Sequence, residues 1–270
     1  ADGFRDPMLL LKQLLKLVPS SQDSRSITEE NCVVLYNIAL IEYGLKQYRT
    51  ALTRIEPVFS SISSLSDYLG IKVSFLLLDI YLVLGKQHCN VIQSATQVLD
   101  YLQNYFNLLK KNSSAGNEKK GNKKGNNKNS KQQQQQQDKS KDDSSNDTFT
   151  MDPTEFKYHY HLYRAKFFVF NNILNQATRE IKCCMTVSNQ SAQPLFLKSN
   201  LENLKENYDK SVKILNAIQG DTSDPTLPAL YFNNIGIIHF QLKKYEAAGY
   251  YFARAIKENE SIYDVKDDNS

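Results

Sequence analysis

Apolar residues recur at intervals of three and four along most of the chain, on both sides of one long polar segment. This spacing places them along one face of an α-helix, and the alternation typical of β-strands is not visible. The pattern therefore predicts an all-α fold. The predicted helices cover residues 7–18, 28–46, 48–62, 66–85, 88–111, 152–172, 174–187, 194–206, 208–219, 227–242 and 245–258.

The stretch FNNIGIIHFQLKKYEAAGYYFARAI (232–256) predicts how these helices pair. Small residues stand between aromatic ones at helical spacing, and two helices can cross closely only where one of them offers a small side chain. The stretch resembles a tetratricopeptide repeat, a pair of antiparallel helices. A second copy, 35–58, aligns without gaps to 232–255, and weaker copies lie between them. The predicted repeat-packing residues are Ala51, Tyr48, Ala177, Ser211, Phe232, Gly236, Tyr245, Ala248, Phe252 and Ala255.

These copies predict about five helix pairs preceded by a lone helix. Stacked pairs of this kind form a right-handed solenoid with a concave groove. The polar segment is rich in Lys, Asn and Gln, and it has too few apolar residues to offset the entropy of ordering it. We therefore predict a disordered insert within one solenoid. The predicted divisions are helical repeats at 1–111, the insert at 112–150, further repeats of the same solenoid at 151–262 and a flexible tail at 263–270.

The net charge of +4 is concentrated in the insert, so the predicted helices are close to neutral. No apolar run is long enough to span a bilayer, and no secretory signal opens the sequence. The four cysteines show no regular spacing, which indicates reduced thiols in an intracellular protein. We expect a cytoplasmic location, with the nucleus as a second location, and no contact with a membrane.

Candidate chemistry is sparse. His159 and His161 stand two residues apart, but on a helix their side chains diverge by about 200°, which does not suit one metal ion. No Ser/His/Asp or Cys/His set, phosphate-binding glycine loop or paired acidic motif is present. We therefore expect a protein that is not an enzyme and has no cofactor, no metal and no small-molecule substrate.

The first helices of two repeats carry polar and aromatic residues on the predicted concave side. The candidate partner-binding residues are Tyr36, Asn37, Tyr43, Asn233, Asn234, Phe240 and Gln241. A co-chaperone that grips acidic peptide tails would need Lys or Arg at such positions. An RNA-binding role for the insert is a second alternative, but residues 110–148, which hold its lysines, contain neither an aromatic residue nor an arginine. Contact with nucleic acid is therefore expected to be absent or indirect.

Five segments in the same order are similar to one family, the tenth Not-type subunit of the eukaryotic Ccr–Not complex, which shortens mRNA poly(A) tails. The segments are LYNIALIEYGLKQY (35–48), FLLLDIYLVLGK (75–86), ATREIKCCM (177–185), PLFLKSNLENLKENYDKSVKILN (194–216) and FNNIGIIHFQLKKY (232–245). The resemblance implies a non-catalytic scaffold in mRNA turnover and translational repression. It implies as partners the eleventh Not-type subunit and the amino-terminal region of the large Not scaffold.

Overall fold

A computed structural model of the chain describes residues 7–16, 28–87, 90–118, 151–188, 191–218 and 224–264, with side chains omitted at 7, 87, 112–118 and 262–264. These residues form eleven α-helices and two 3-10 turns, and no strand occurs among them. The predicted all-α class is confirmed. Most of the predicted insert, 119–150, and most of the predicted tail, 265–270, lie outside the described residues.

The chain divides into two compact units, Ala1–Pro153 and Thr154–Ser270. The helices of the first unit are α1 (Pro7–Leu15), α2 (Glu29–Gly44), α3 (Tyr48–Ser60), α4 (Asp67–Leu84) and α5 (Val91–Glu118). Short 3-10 turns at Ile62–Ser64 and Gly85–Gln87 follow α3 and α4. Each helix packs against the next, and α4 is apolar on most sides because α2, α3 and α5 all lie against it.

The helices of the second unit are α6 (Pro153–Phe170), α7 (Leu174–Val187), α8 (Ala192–Leu204), α9 (Tyr208–Asn216), α10 (Leu227–Gln241) and α11 (Tyr245–Asp264). They form three hairpins, α6–α7, α8–α9 and α10–α11. One apolar cluster lies between α6, α7 and α8, and a second joins α8 and α9 to α10 and α11.

The same tight turn ends the first helix of four hairpins, which are α2–α3, α6–α7, α8–α9 and α10–α11. In the turn after α2, Gln47 N–H donates to the Glu42 carbonyl at 2.8 Å and Lys46 N–H donates to the Tyr43 carbonyl at 2.9 Å. This is the Schellman arrangement, which requires a left-handed residue just past the helix end. The residues that adopt this conformation are Lys46, Asn172, Glu206 and Lys243, with φ of 60–62°. The shared turn fixes a common register for the hairpins.

In that register, each hairpin has a small residue seven positions before the left-handed residue and another five positions after it. The pairs are Ala39 with Ala51, Ala165 with Ala177, Ser199 with Ser211 and Gly236 with Ala248, and all are buried. In the α8–α9 hairpin the two serines touch, since their Oγ atoms lie 2.7 Å apart. The first-helix partners Ala39, Ala165 and Ser199 were not among the predicted packing residues.

The aromatic packing residues lie at different depths. Phe232 is buried, whereas Phe252 and Tyr48 are half-buried. Tyr245 differs from the predicted packing position, because its side chain is 60% exposed and contacts the Phe240 ring edge to face. Tyr245 is the first residue of α11 and directly follows the exposed turn residues 242–244, which leave its side chain open to solvent. Ala255 lies in the core with Phe232 and Ile235.

Candidate protein-binding surfaces

The candidate residues of the first unit lie along one side of α2. Asn37 is exposed, and Tyr36 and Tyr43 are half-buried. The Tyr43 ring packs edge to face on Tyr48 at 5.4 Å. Burial raises the pKa of both Tyr36 and Tyr43, so their hydroxyls stay protonated and can donate hydrogen bonds at neutral pH.

Two aliphatic side chains on the same helix extend this candidate surface. Val33 is 41% exposed and Leu40 is 45% exposed. They stand four residues before and three residues after Asn37, which is the spacing of one helix face. Sequence reasoning missed them because it sought polar and aromatic side chains, although their spacing from Asn37 was the available signal.

The candidate residues of the second unit lie along α10. Asn233 and Gln241 are exposed, and Phe240 is 56% exposed. Asn234 is half-buried and its amide donates to the Leu230 carbonyl at 2.9 Å, so this side chain is engaged within its own helix. Asn234 therefore supports α10 more than it presents a polar group to a partner.

Three exposed apolar side chains dominate this part of α10. Leu230 is 47% exposed and Ile237 is 37% exposed, and with Phe240 they follow one face of the helix. The helix contains no Lys, Arg, Asp or Glu. We define Leu230, Asn233, Ile237 and Phe240 as the α10 stripe. Such a surface offers apolar contact and amide hydrogen bonds, and it cannot neutralise the carboxylates of an acidic peptide.

One carboxylate of the second unit is held by side chains of the neighbouring helix. Glu180 on α7 accepts from Arg164 Nε at 2.9 Å and lies 2.7 Å from Nδ1 of His161, and both of these residues belong to α6. Arg164 also donates to the Tyr160 hydroxyl at 2.8 Å. Burial opposes ionisation of Glu180, but the hydrogen bonds from His161 and Arg164 outweigh it and lower the pKa of the carboxyl. This network joins α6 to α7.

A second buried carboxylate closes the α8–α9 turn. Glu202 is 5% exposed and accepts from Lys210 Nζ and Asn207 Nδ2, each at 3.0 Å. Burial again opposes ionisation, and the hydrogen bonds from Lys210 and Asn207 lower the pKa of Glu202. In the first unit Glu42 accepts from Arg54 Nε at 2.9 Å. Glu42 and Glu202 occupy the same position relative to the turn, where the other two hairpins have Phe168 and His239. A carboxylate at this position is therefore shared by two of the four hairpins.

The described residues also bear on membrane crossing and metal binding. Within the described ranges, no helix has both the length and the apolar content needed to cross a membrane. Among the same residues, no three His, Cys, Asp or Glu side chains come together as a metal-binding group. His159 and His161 have different neighbours, since His159 lies 4.0 Å from Glu155 while His161 contacts Glu180.

No family model matches the chain. Two curated proteins of Xenopus laevis, CCR4-NOT transcription complex subunit 10-B and subunit 10-A, are each 29% identical to it over 259 residues. The match covers 93% of this chain and 32% of each relative, so the chain spans about a third of their length. CCR4-NOT transcription complex subunit 10 of Danio rerio is 37% identical over 106 residues, which is 37% of this chain and 17% of the relative. These similarities confirm the family resemblance found in the sequence.

Proposed function

We propose that the chain is part of a non-catalytic scaffold subunit of the Ccr–Not mRNA deadenylase complex. The relatives are named as subunits of that complex, and the match runs over 93% of this chain. In the described helices, the buried carboxylates Glu42, Glu180 and Glu202 are each bound by side chains of the same repeat. The subunit would hold other proteins and leave the chemistry of deadenylation to them.

The observation that carries this proposal is the α10 stripe. Its apolar members are exposed to between 37% and 56% of their surface, on a helix without any charged residue. The cores of protein–protein interfaces are depleted in charge and rich in aromatic and aliphatic contact area. A neutral stripe of this kind favours a protein partner over RNA or an acidic peptide tail.

The proposed partners are other subunits of the complex, among them the eleventh Not-type subunit and the amino-terminal region of the large Not scaffold. Through them the chain would act in mRNA turnover and translational repression. The proposed location is the cytoplasm, with the nucleus as a second location. In this role the chain would use no cofactor, metal or small-molecule substrate.

The test is affinity purification of the tagged chain from nuclease-treated cells, followed by mass spectrometry. We expect subunits of the deadenylase complex in the purified material, and no nuclease activity in the isolated chain. Recovery of chaperones alone would instead support a co-chaperone. Recovery that disappears on nuclease treatment, together with RNA binding that weakens steeply with salt, would support an RNA-binding module. Either result would overturn the scaffold proposal.

A further inference from the structure

The turn between α3 and α4 is rich in serine. Five of the seven residues 60–66 are serines, and Ser63, Ser64 and Ser66 have exposed side chains. Ser64 is the last residue of the 3-10 turn, and its hydroxyl donates to the Ser61 carbonyl at 2.7 Å. The turn therefore presents accessible hydroxyl groups between two helices.

The backbone is extended directly after Ser64. Leu65 has φ −96° and ψ 156°, and Ser66 has φ −60° and ψ 147°. An enzyme that modifies a hydroxyl also binds the residues that follow it. An extended segment offers its side chains and backbone groups for that contact, whereas a helix uses its backbone groups internally. Ser64 thus has the backbone geometry of an acceptor for a modifying enzyme.

The charge around this turn is negative. Residues 55–71 contain no lysine or arginine. Asp67 lies three residues after Ser64 and is exposed, and Glu29 of α2 accepts from the Ser66 amide at 3.0 Å. Hydrogen bonds from the Ser66 hydroxyl and amide lower the pKa of Glu29, so this carboxyl is charged at neutral pH. A protein that binds the turn therefore has to offer positive charge.

We propose that Ser64 is a phosphorylation site for an acid-directed serine/threonine kinase. Kinases of this class bind a carboxylate three residues after the acceptor in a basic pocket, and Asp67 stands at that position. In the reaction, Ser64 Oγ attacks the γ-phosphorus of ATP held by the kinase. An O–P bond forms, the bond from the γ-phosphorus to the β–γ bridging oxygen breaks, ADP leaves, and the hydroxyl proton passes to the catalytic aspartate of the kinase.

The local conformation distinguishes Ser64 from other hydroxyl residues with the same spacing. In the described part of the chain, three others have a carboxylate three residues later, and all three lie within α-helices: Thr53, Ser199 and Ser261. Ser199 is also buried. The helical backbone keeps these segments from the extended form that follows Ser64. Conformation together with spacing therefore selects Ser64.

A phosphate on Ser64 would act on the contact between α2 and α4. It would add about two negative charges two residues before the Ser66 amide that binds Glu29. Repulsion between the phosphate and the Glu29 carboxylate would oppose this bond, so the first turn of α2 would be held less firmly at the start of α4. The proposal goes beyond the proposed function, because it does not depend on the identity of any partner.

The test of the site is a kinase assay on the whole chain, residues 1–270, with casein kinase 2 and ATP. Trypsin releases the turn in one peptide, residues 55–72. We expect fragmentation mass spectrometry to find phosphate on Ser64 in that peptide, with Thr53 and Ser261 unmodified. Phosphate on either helical residue at the same rate as on Ser64, or no phosphate on Ser64, would overturn the proposal.

Two variants separate the role of the carboxylate from that of the serine-rich turn. Asp67→Asn keeps the size of the side chain and should lower the rate at Ser64 by at least about tenfold, because a neutral amide cannot form charge-assisted bonds in a basic pocket. Ser63→Ala is the matched control and should leave that rate unchanged. Equal rates for wild type and Asp67→Asn, with matching circular dichroism, would overturn the assignment to an acid-directed kinase.

Two further measurements address the site in cells and its structural effect. The 55–72 peptide of the tagged chain, purified from cells with phosphatases inhibited, should carry a phosphate that Ser64→Ala removes. A phosphate that persists in this variant, or none in wild type, would overturn the proposal. After phosphorylation, the Ser66 amide should exchange its hydrogen at least about threefold faster, because its bond to Glu29 opens more often. Unchanged exchange would contradict the proposed effect on α2 and α4.

Discussion

The ring of Phe252 occupies the space that a side chain at Gly236 would need. A Cβ atom at Gly236 would lie 2.7 Å from both Cδ1 and Cε1 of that ring. The glycine thus lets α10 and α11 approach each other with an aromatic ring between them. The predicted need for a small residue at this position has a specific cause, which is the Phe252 ring rather than the opposing helix backbone.

We therefore expect opposite effects from two Gly→Ala substitutions. Gly249, within α11, has nothing within 4 Å of a Cβ position, so Gly249→Ala should stabilise by about 0.5–1 kcal/mol through helix propensity. Gly236→Ala gains the same propensity but forces the Phe252 ring to move, at a cost of about 1–3 kcal/mol. Denaturant unfolding measures both. Equal stabilisation by the two variants would show that Phe252 does not restrict this position.

The left-handed turn residue Lys243 offers a stabilising change. Its φ of 60° disfavours a residue with a Cβ atom, so Lys243→Gly should raise the free energy of unfolding by about 0.5–1 kcal/mol. Lys257→Gly is the control, because Lys257 is an exposed residue inside α11 where glycine costs about 1 kcal/mol. A lower melting temperature for Lys243→Gly would contradict the Schellman geometry of the turn.

Ser199 and Ser211 form a coupled pair. Besides the contact between their hydroxyls, Ser211 Oγ donates to the Ser199 carbonyl at 2.8 Å. Ser211→Ala should cost about 1 kcal/mol because it leaves a buried hydroxyl with fewer partners. The double change Ser199→Ala with Ser211→Ala should cost less than the sum of the two single changes. Two alanines occupy the equivalent positions in the α2–α3 and α6–α7 hairpins. A double-mutant cycle by denaturant unfolding measures the coupling, and strict additivity would argue against it.

The Glu180 network predicts a dependence of stability on pH. The pKa of Glu180 is lowered in the folded state from its ordinary value of 4.5, so the stability it contributes is present above that value and is lost as the pH falls through the lowered pKa. We expect Glu180→Gln to reduce stability at neutral pH and to flatten the fall in stability as the pH drops below 4.5. Glu246→Gln, at an exposed position, is the control. Equal pH profiles of the melting temperature in wild type and Glu180→Gln would contradict the proposed linkage.

The sequence predicted the helices closely where their ends carry strong local signals. α7 covers Leu174–Val187, as predicted, and α10 ends at Gln241, within one residue of the prediction. The predicted end of α5 at residue 111 was wrong, since the helix continues to Glu118. Polar residues such as Asn and Ser have low helix propensity, but they do not by themselves stop a helix that has already formed.

The candidate surface was harder to predict than the repeat. The small-residue pairs recur at a separation of twelve residues, as in Ser199 with Ser211, and a search for that spacing could have found Ala39, Ala165 and Ser199. The exposure of Leu230, Ile237 and Tyr245 is a tertiary property. Their side chains have the composition of core residues, and only the packing of neighbouring helices decides which of them remain in contact with solvent.

The most direct test of the scaffold proposal is the recovery of deadenylase-complex subunits with stripe variants of the chain. Ile237→Ala combined with Phe240→Ala should reduce recovery by at least about tenfold, since central apolar anchors each contribute about 1–2 kcal/mol to binding. Tyr250→Ala, at an exposed aromatic residue of α11 outside the stripe, should leave recovery unchanged. Undiminished recovery with the double variant, while its circular dichroism and melting temperature match the wild type, would contradict a role for the α10 stripe in holding the complex.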